Sequence, residues 1–189
     1  MEVLLSAVSP MQLMVGKIIG QMGVASLILG LYAFTGVGAL MFFSLSHLLD
    51  PMILVYAAIY FVIAFFLMAS MMAAVGSAVN DIREAQALMQ PIMIVMVIPM
   101  MLWMPIGRNP NGLFAQIVSF IPPISPFVMV IRIAGSEKIP FWQIPASMAV
   151  GVVSMIFMCW ATAKIFRIGI LMYGKPPNLK TLIKWVRMA

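Results

Sequence analysis

The placement of charge constrains this chain more than any other feature. No Asp, Glu, Lys or Arg lies between Lys17 and Asp50, between Asp50 and Asp81, between Glu84 and Arg108, or between Lys138 and Lys164. A helix advances 1.5 Å per residue, so about 20 apolar residues cross ~30 Å of hydrocarbon. Each of the four intervals is long enough for that. They place membrane spans at roughly 22–46, 52–79, 86–106 and 142–166. Composition agrees: 64% of residues are hydrophobic, 8% are charged, and the mean hydropathy is +1.12. A soluble domain carries about a quarter charged residues, so a water-soluble globule is excluded. The fold class read from sequence is an all-α membrane protein, and its 189 residues leave no stretch for a soluble catalytic domain beside the spans.

A fifth uncharged interval, Arg108 to Arg132, does not read as a span. It opens on the turn-like Asn109-Pro110-Asn111-Gly112 and is broken at Pro122, Pro123 and Pro126. Two apolar pieces remain, about 113–121 and 126–134, each too short to cross. They predict a Pro-rich helical hairpin before the last span, either re-entrant or interfacial. Irregular backbone at membrane depth needs protein or a cavity around it.

Local signals set the boundaries. Ser9, Pro10 and Gln12 stand at N-cap, N1 and N3, so a helix is expected from Pro10. Asp50-Pro51 opens the second span in the same way, and Asp81 with Glu84 forms a capping box for the third. Ser125-Pro126 is expected to start the second hairpin piece and Gly135 to end it. Pro91 and Pro99 fall inside the third span, where each removes a backbone hydrogen bond, so kinks are expected there. Small residues at Gly16/Gly20, Ser70/Ala74 and Gly36/Gly38 predict close helix contacts.

Orientation follows from the basic residues. With four spans, Lys17, Arg83, Lys164, Arg167, Lys175, Lys180, Lys184 and Arg187 share one side, and Arg108, Arg132 and Lys138 the other. Eight against three puts both termini in the cytoplasm of a multi-pass protein of the cell membrane. The net charge of +6 gathers at the tail, so topology explains it and no nucleic-acid partner is expected. After Pro176-Pro177, Leu179, Leu182, Ile183 and Val186 oppose Lys180, Lys184 and Arg187. That pattern suits a helix lying on anionic lipid, with Trp185 near the interface.

Chemistry-bearing constellations are sparse. The spans lack ionisable residues at their centres, which argues against a proton-driven pump. Ser77 and His47, the one histidine, fall at opposite faces and make no dyad. Cys159 is alone, so no disulfide framework or cysteine-based metal site is expected. Met89, Met93, Met96, Met100 and Met104 form a stripe that reads as adaptable packing rather than a copper path. Tyr32, Thr35, Tyr56, Tyr60 and Thr162 offer hydroxyls and rings compatible with sodium, lipid or an apolar drug. No phosphate-binding loop of the G-x-x-x-x-G-K-[ST] kind occurs. The chain is therefore expected to bind no cofactor, with any ATP and Mg held by a partner.

Three stretches in order, EVLLSAVSPMQLMVGKIIG at 2–20, AAVGSAVNDIREAQALMQPIMI at 73–94 and FIPPISPFVMVIRI at 120–133, resemble the C-terminal half of permease subunits of type-2 ABC transporters. The similarity leans to the sodium-efflux and multidrug-export branch. It implies a cytoplasmic coupling segment over 1–17, with Glu2, Val3, Leu4 and Leu5 facing a separate ATPase subunit. Ser9, Pro10 and Gln12 would cap the helix that follows, and Gly16 and Lys17 would stand at the membrane entry. The hairpin 113–134, turning at Pro122, Pro123 and Pro126, is similar to the re-entrant element at the external end of the path. Members of the family carry a preceding half, with a first span, often a large outer domain, and another span. The resemblance thus leaves a fragment, a truncated frame or a split permease open.

The sequence therefore divides into a coupling segment (1–17), three spans (18–106), an external loop with the hairpin (107–141), a fourth span (142–166) and a basic cytoplasmic tail (167–189). The expected function is the membrane-spanning part of an ATP-driven exporter, not itself an enzyme, working with an ATPase subunit and a second permease copy or half. A membrane scaffold and an ATP-independent channel or carrier are the rival readings.

Overall fold

A computed structural model describes residues 10–44, 50–79, 81–135 and 139–171. They form α1 (Pro10–Phe42), α2 (Pro51–Ala78), α3 (Ile82–Arg108), α4 (Leu113–Val118), α5 (Ser125–Ala134) and α6 (Gln143–Leu171). Four are long and apolar enough to cross a membrane: α1 over Val15–Phe42, α2, α3, and α6 over Gln143–Ile165. The described residues contain no strand, so the all-α reading stands, with each span close to its charge-free interval.

Caps behave as their chemistry dictates at two of the expected sites. Asp50 accepts a hydrogen bond from the Met52 N–H at 2.9 Å, with Pro51 opening α2. Asp81 accepts from the Arg83 N–H at 3.3 Å, and Glu84 stands in the first turn of α3. The second hairpin piece starts at Ser125-Pro126, as expected. Ile124 occupies the cap position, Ser125 is the first helical residue, and its buried Oγ has no hydrogen-bond partner. The turn itself supplies the reason. Ser125 N–H donates to Ile121 O at 2.8 Å and Ile124 N–H to the same oxygen at 3.0 Å. The chain enters the helix already coiled, with Ile124 in helical geometry. Gly135 does end α5, in an extended conformation, where an added Cβ would lie 3.1 Å from Arg132 O and 3.5 Å from Pro110 Cγ.

The packing centres on α2, which lies along α6 for much of its length. Tyr60 donates to Ile144 O at 3.1 Å and shares a hydrogen bond with Ser147 Oγ. Further along, Thr162 donates to Ser70 O at 2.9 Å, and Ser70 Oγ meets Cys159 Sγ at 3.1 Å. Partner numbers rise together on the two helices, so α2 and α6 run parallel. Gly151 permits the close approach, because a Cβ there would stand 3.0 Å from Ile63 Cγ2. Parallel helices require the intervening chain to cross back once. α3 does so, and α4 and α5 must therefore leave on the side from which they entered.

Three buried clusters follow from this arrangement. At the end where α3 finishes, Ile106 meets Ala115, Val118 and Val128 of the hairpin. In the middle, Tyr60, Ile63 and Leu67 surround Met129. At the other end, Met68, Ala74 and Val75 pack with Leu88, Ile92 and Ile165. By contrast, α1 is almost bare, with Ile18 its one buried residue among those described. The close contacts expected at Gly16/Gly20 and Gly36/Gly38 are not made within the described residues, since a Cβ at any of them meets nothing within 4 Å. Ser70 and Ala74, in contrast, are buried.

Candidate functional site

The hairpin and its surroundings hold the densest polar structure. The chain leaves α3 through a turn in which Gly112 N–H donates to Asn109 O at 3.2 Å and Gln116 Nε2 donates to Asn111 O at 2.7 Å. α4 is short, and the chain reverses through Ile121–Ile124, with the Pro122–Pro123 peptide cis. Returning, α5 buries Pro126, Val128, Met129 and Arg132. Phe120 stacks on Trp142 at 6.4 Å between ring centroids, an aromatic pair of the kind that favours a membrane–water boundary.

Depth can be read along α6. Arg132, near the end of α5, bonds Gln143, the first residue of α6. Pro122 and Pro123 instead line a cavity of about 350 Å³ with Leu67 and Met71 of α2 and Val153, Ser154, Phe157 and Met158 of α6. From Gln143 to that level is ten to fifteen residues, or about 15–22 Å at the helical rise. The hairpin turn therefore reaches the middle of α2 and α6 rather than lying across their ends.

Arg132 is the residue that the sequence reading undervalued. Its side chain is 0% exposed. Nε donates to Pro110 O at 2.6 Å, Nη1 to Ser119 Oγ at 2.8 Å and Nη2 to Gln143 Oε1 at 2.6 Å. Met129 Sδ lies 3.6 Å from Nη1. A guanidinium keeps its proton under such conditions, so a full positive charge sits among neutral acceptors. Counted by charge alone, Arg132 had marked only the outer side of the membrane. Its position inside the apolar run 124–134 was a signal in itself, because ionisable residues at membrane depth are rare and functional by default. Ser119 and Gln143 carried no comparable local signal.

Other expected residues fall elsewhere. Pro10 begins α1 as described, while Glu2, Val3, Leu4, Leu5 and Ser9 lie outside the described residues. So do His47 and the amphipathic tail from 172 onward. Pro91 and Pro99 lie within α3, as does Pro105. Ser77 donates to Ala74 O at 3.0 Å in its own helix. The hydroxyls considered for cargo do not converge. Tyr60 and Thr162 are engaged between α2 and α6, and Thr35 bonds back to Leu31 O on exposed α1. The methionine stripe faces outward: Met93, Met96, Met100 and Met104 are exposed and Met89 is half-buried. Only Met89 packs against a buried cluster of the described residues, the one with Leu88 and Ile92.

Residues 1–164 match the family described as ABC-2 family transporter protein. An uncharacterized protein of Methanocaldococcus jannaschii is 32% identical over 184 residues, covering 97% of this chain and 45% of that protein. The uncharacterized protein YhaP of Bacillus subtilis is 29% identical over 207 residues, covering 100% of this chain and 48% of that one. The chain thus spans about half the length of the curated relatives it matches. No solved structure matches. With a whole-bundle family match over four apolar helices and the hairpin, the chain belongs to the ABC-2 family of transporter proteins.

Proposed function

We propose that this chain is the membrane-spanning permease part of an ATP-driven exporter of the sodium-efflux or multidrug-export kind, corresponding to the C-terminal half of such a permease. The observation that carries the reading is the hairpin turn set at mid-helix depth beside α2 and α6 in a chain of an ABC-2 transporter family. A path closed from the outer side by a re-entrant plug needs an element of this shape. Backbone irregular at that depth is tolerable where protein or a cavity adjoins it, and here Pro123 and Ile124 are half-buried while Ile121 and Pro122 are exposed.

In this reading the family's transport component uses energy supplied by a separate ATPase subunit that holds ATP and Mg. Residues 1–17 form the cytoplasmic coupling segment, with Glu2, Val3, Leu4 and Leu5 against the ATPase and Ser9 and Pro10 starting the rigid helix that carries its motion. Residues 18–106 and 142–166 are the spans, 107–141 the external loop and plug, and 167–189 a basic tail on the cytoplasmic leaflet of the cell membrane. A second permease copy or half completes the path. Alternating access needs an element with two arrangements whose balance the ATPase shifts. The proline-bearing α3, linked to the hairpin at its outer end, is that element.

The test uses the full-length polypeptide with its ATPase subunit in liposomes. Glu2→Lys and Leu4→Asp are expected to leave the bundle folded and basal ATP hydrolysis present while abolishing ATP-driven transport. Coupling unchanged in both variants would remove the assignment of 1–17.

A further inference from the structure

Arg132 gathers three segments that are separate in sequence. Pro110 follows the exit of α3, Ser119 ends α4, and Gln143 begins α6; one side chain from α5 bonds all three. These partners are a carbonyl, a hydroxyl and an amide, with no carboxylate among them. That choice has a physical consequence. A carboxylate partner would leave a second buried charge stranded whenever the contact opened. Neutral acceptors leave nothing charged behind. Ser119 Oγ already donates to Ala115 O at 2.6 Å and keeps that bond when Arg132 departs. Pro110 and Gln143 are buried in the closed arrangement, and both can meet water once the hairpin leaves the bundle. The contact is strong while closed, because donors from a cation make the shorter and stronger hydrogen bonds, and it is reversible.

The reading of the hairpin as the outer plug of the path is what this inference rests on. We propose that Arg132 is a positioning residue that latches the hairpin to the head of the last span, and that release of its bonds to Pro110, Ser119 and Gln143 frees the Pro122–Pro123 turn to leave the bundle. Gly135 and the close Pro110 ring fix the backbone from which the side chain reaches inward. Met129, fully buried against Tyr60, Ile63 and Leu67, sits beneath the guanidinium and transmits its position toward the turn.

The latch is tested on the full-length protein in intact cells, without ATP or any partner as a readout. Ser125→Cys places a thiol at a fully buried position just past the turn, and native Cys159, half-buried against Ser70, serves as the internal control. A water-soluble, membrane-impermeant maleimide is added outside, and modification at each thiol is followed by mass spectrometry. Arg132→Met keeps the bulk but deletes the hydrogen bonds. It is expected to speed labelling at position 125 by about tenfold or more, with Cys159 unchanged. Gln143→Glu places a carboxylate against the guanidinium and is expected to slow labelling below the parent rate. A packing role alone predicts no such slowing. Joint acceleration at both thiols, no change in Arg132→Met, or a rate in Gln143→Glu equal to or above the parent overturns the proposal. If Arg132→Met fails to accumulate, Gln143→Glu alone decides. A chain that proves not to be ATP-driven leaves this test intact.

Discussion

Tyr60 illustrates how single polar atoms organise an apolar bundle. Its ring fills the middle cluster while its hydroxyl joins Ile144 O and Ser147 Oγ of α6. In hydrocarbon or protein no water replaces a lost partner, so Tyr60→Phe removes both contacts across the helix pair and leaves Ser147 Oγ with its bond to Ile144 O alone. The expected cost is about 1–2 kcal/mol, read as a lower unfolding midpoint of the purified protein in mild detergent. Gly151 makes a complementary case by size. Any side chain there meets Ile63, so Gly151→Val is expected to separate α2 from α6 and cost about 1–3 kcal/mol. A midpoint equal to the parent would contradict that contact. At this scale the sequence was only half readable. Asp50 and Asp81 announce their helices because a cap acts within three residues. Ser125-Pro126 likewise marks where α5 begins, though the preceding turn leaves the Ser125 hydroxyl without a partner. Arg132 was visible as an arginine in an apolar run, but its partners come from 11 to 22 positions away, and nothing local names them.

Whole elements were more legible than their faces. The intervals bounded by Asp50, Asp81, Glu84 and Arg108 locate α2 and α3 because an ion inside hydrocarbon is costly wherever the helix packs. Prolines at 122, 123 and 126 locate the hairpin because a ring without an N–H interrupts a helix irrespective of neighbours. Which side of a helix is covered depends on partners, and there the readings failed. Gly16 and Gly20 were expected to touch another helix, yet α1 presents them to open space. The methionines of α3 were expected to pack, and Met89 does, yet Met93, Met96, Met100 and Met104 face outward. The prolines of α3 make a testable claim at this scale. Pro99 is buried and Pro91 half-buried, and each lacks one backbone hydrogen bond. If α3 is the element that changes shape, Pro91→Ala and Pro99→Ala should leave the folded fraction unchanged or higher while lowering ATP-driven transport several-fold. Transport at the parent rate in both variants would assign the motion elsewhere.

At the scale of the molecule, the parallel course of α2 and α6 carries the architecture. It makes the segment 79–142 cross the membrane once in total, with α3 as the crossing and the hairpin as an excursion. Buried side chains of α2, α3 and α6 then pack against the excursion, while α1 touches α2 and α6 but leaves most of its apolar surface uncovered. The chain matches a little under half the length of its relatives in Methanocaldococcus jannaschii and Bacillus subtilis. The topology can be measured directly. Single cysteines replace Asp81, Asn109 and Pro140, all exposed, in the full-length protein lacking Cys159, and intact cells are treated with an impermeant thiol reagent. The account predicts that the thiols at 109 and 140 are modified from outside, and that the one at 81 reacts only after the membrane is opened. Modification of 109 and 140 from opposite sides would make the hairpin a crossing and contradict the account.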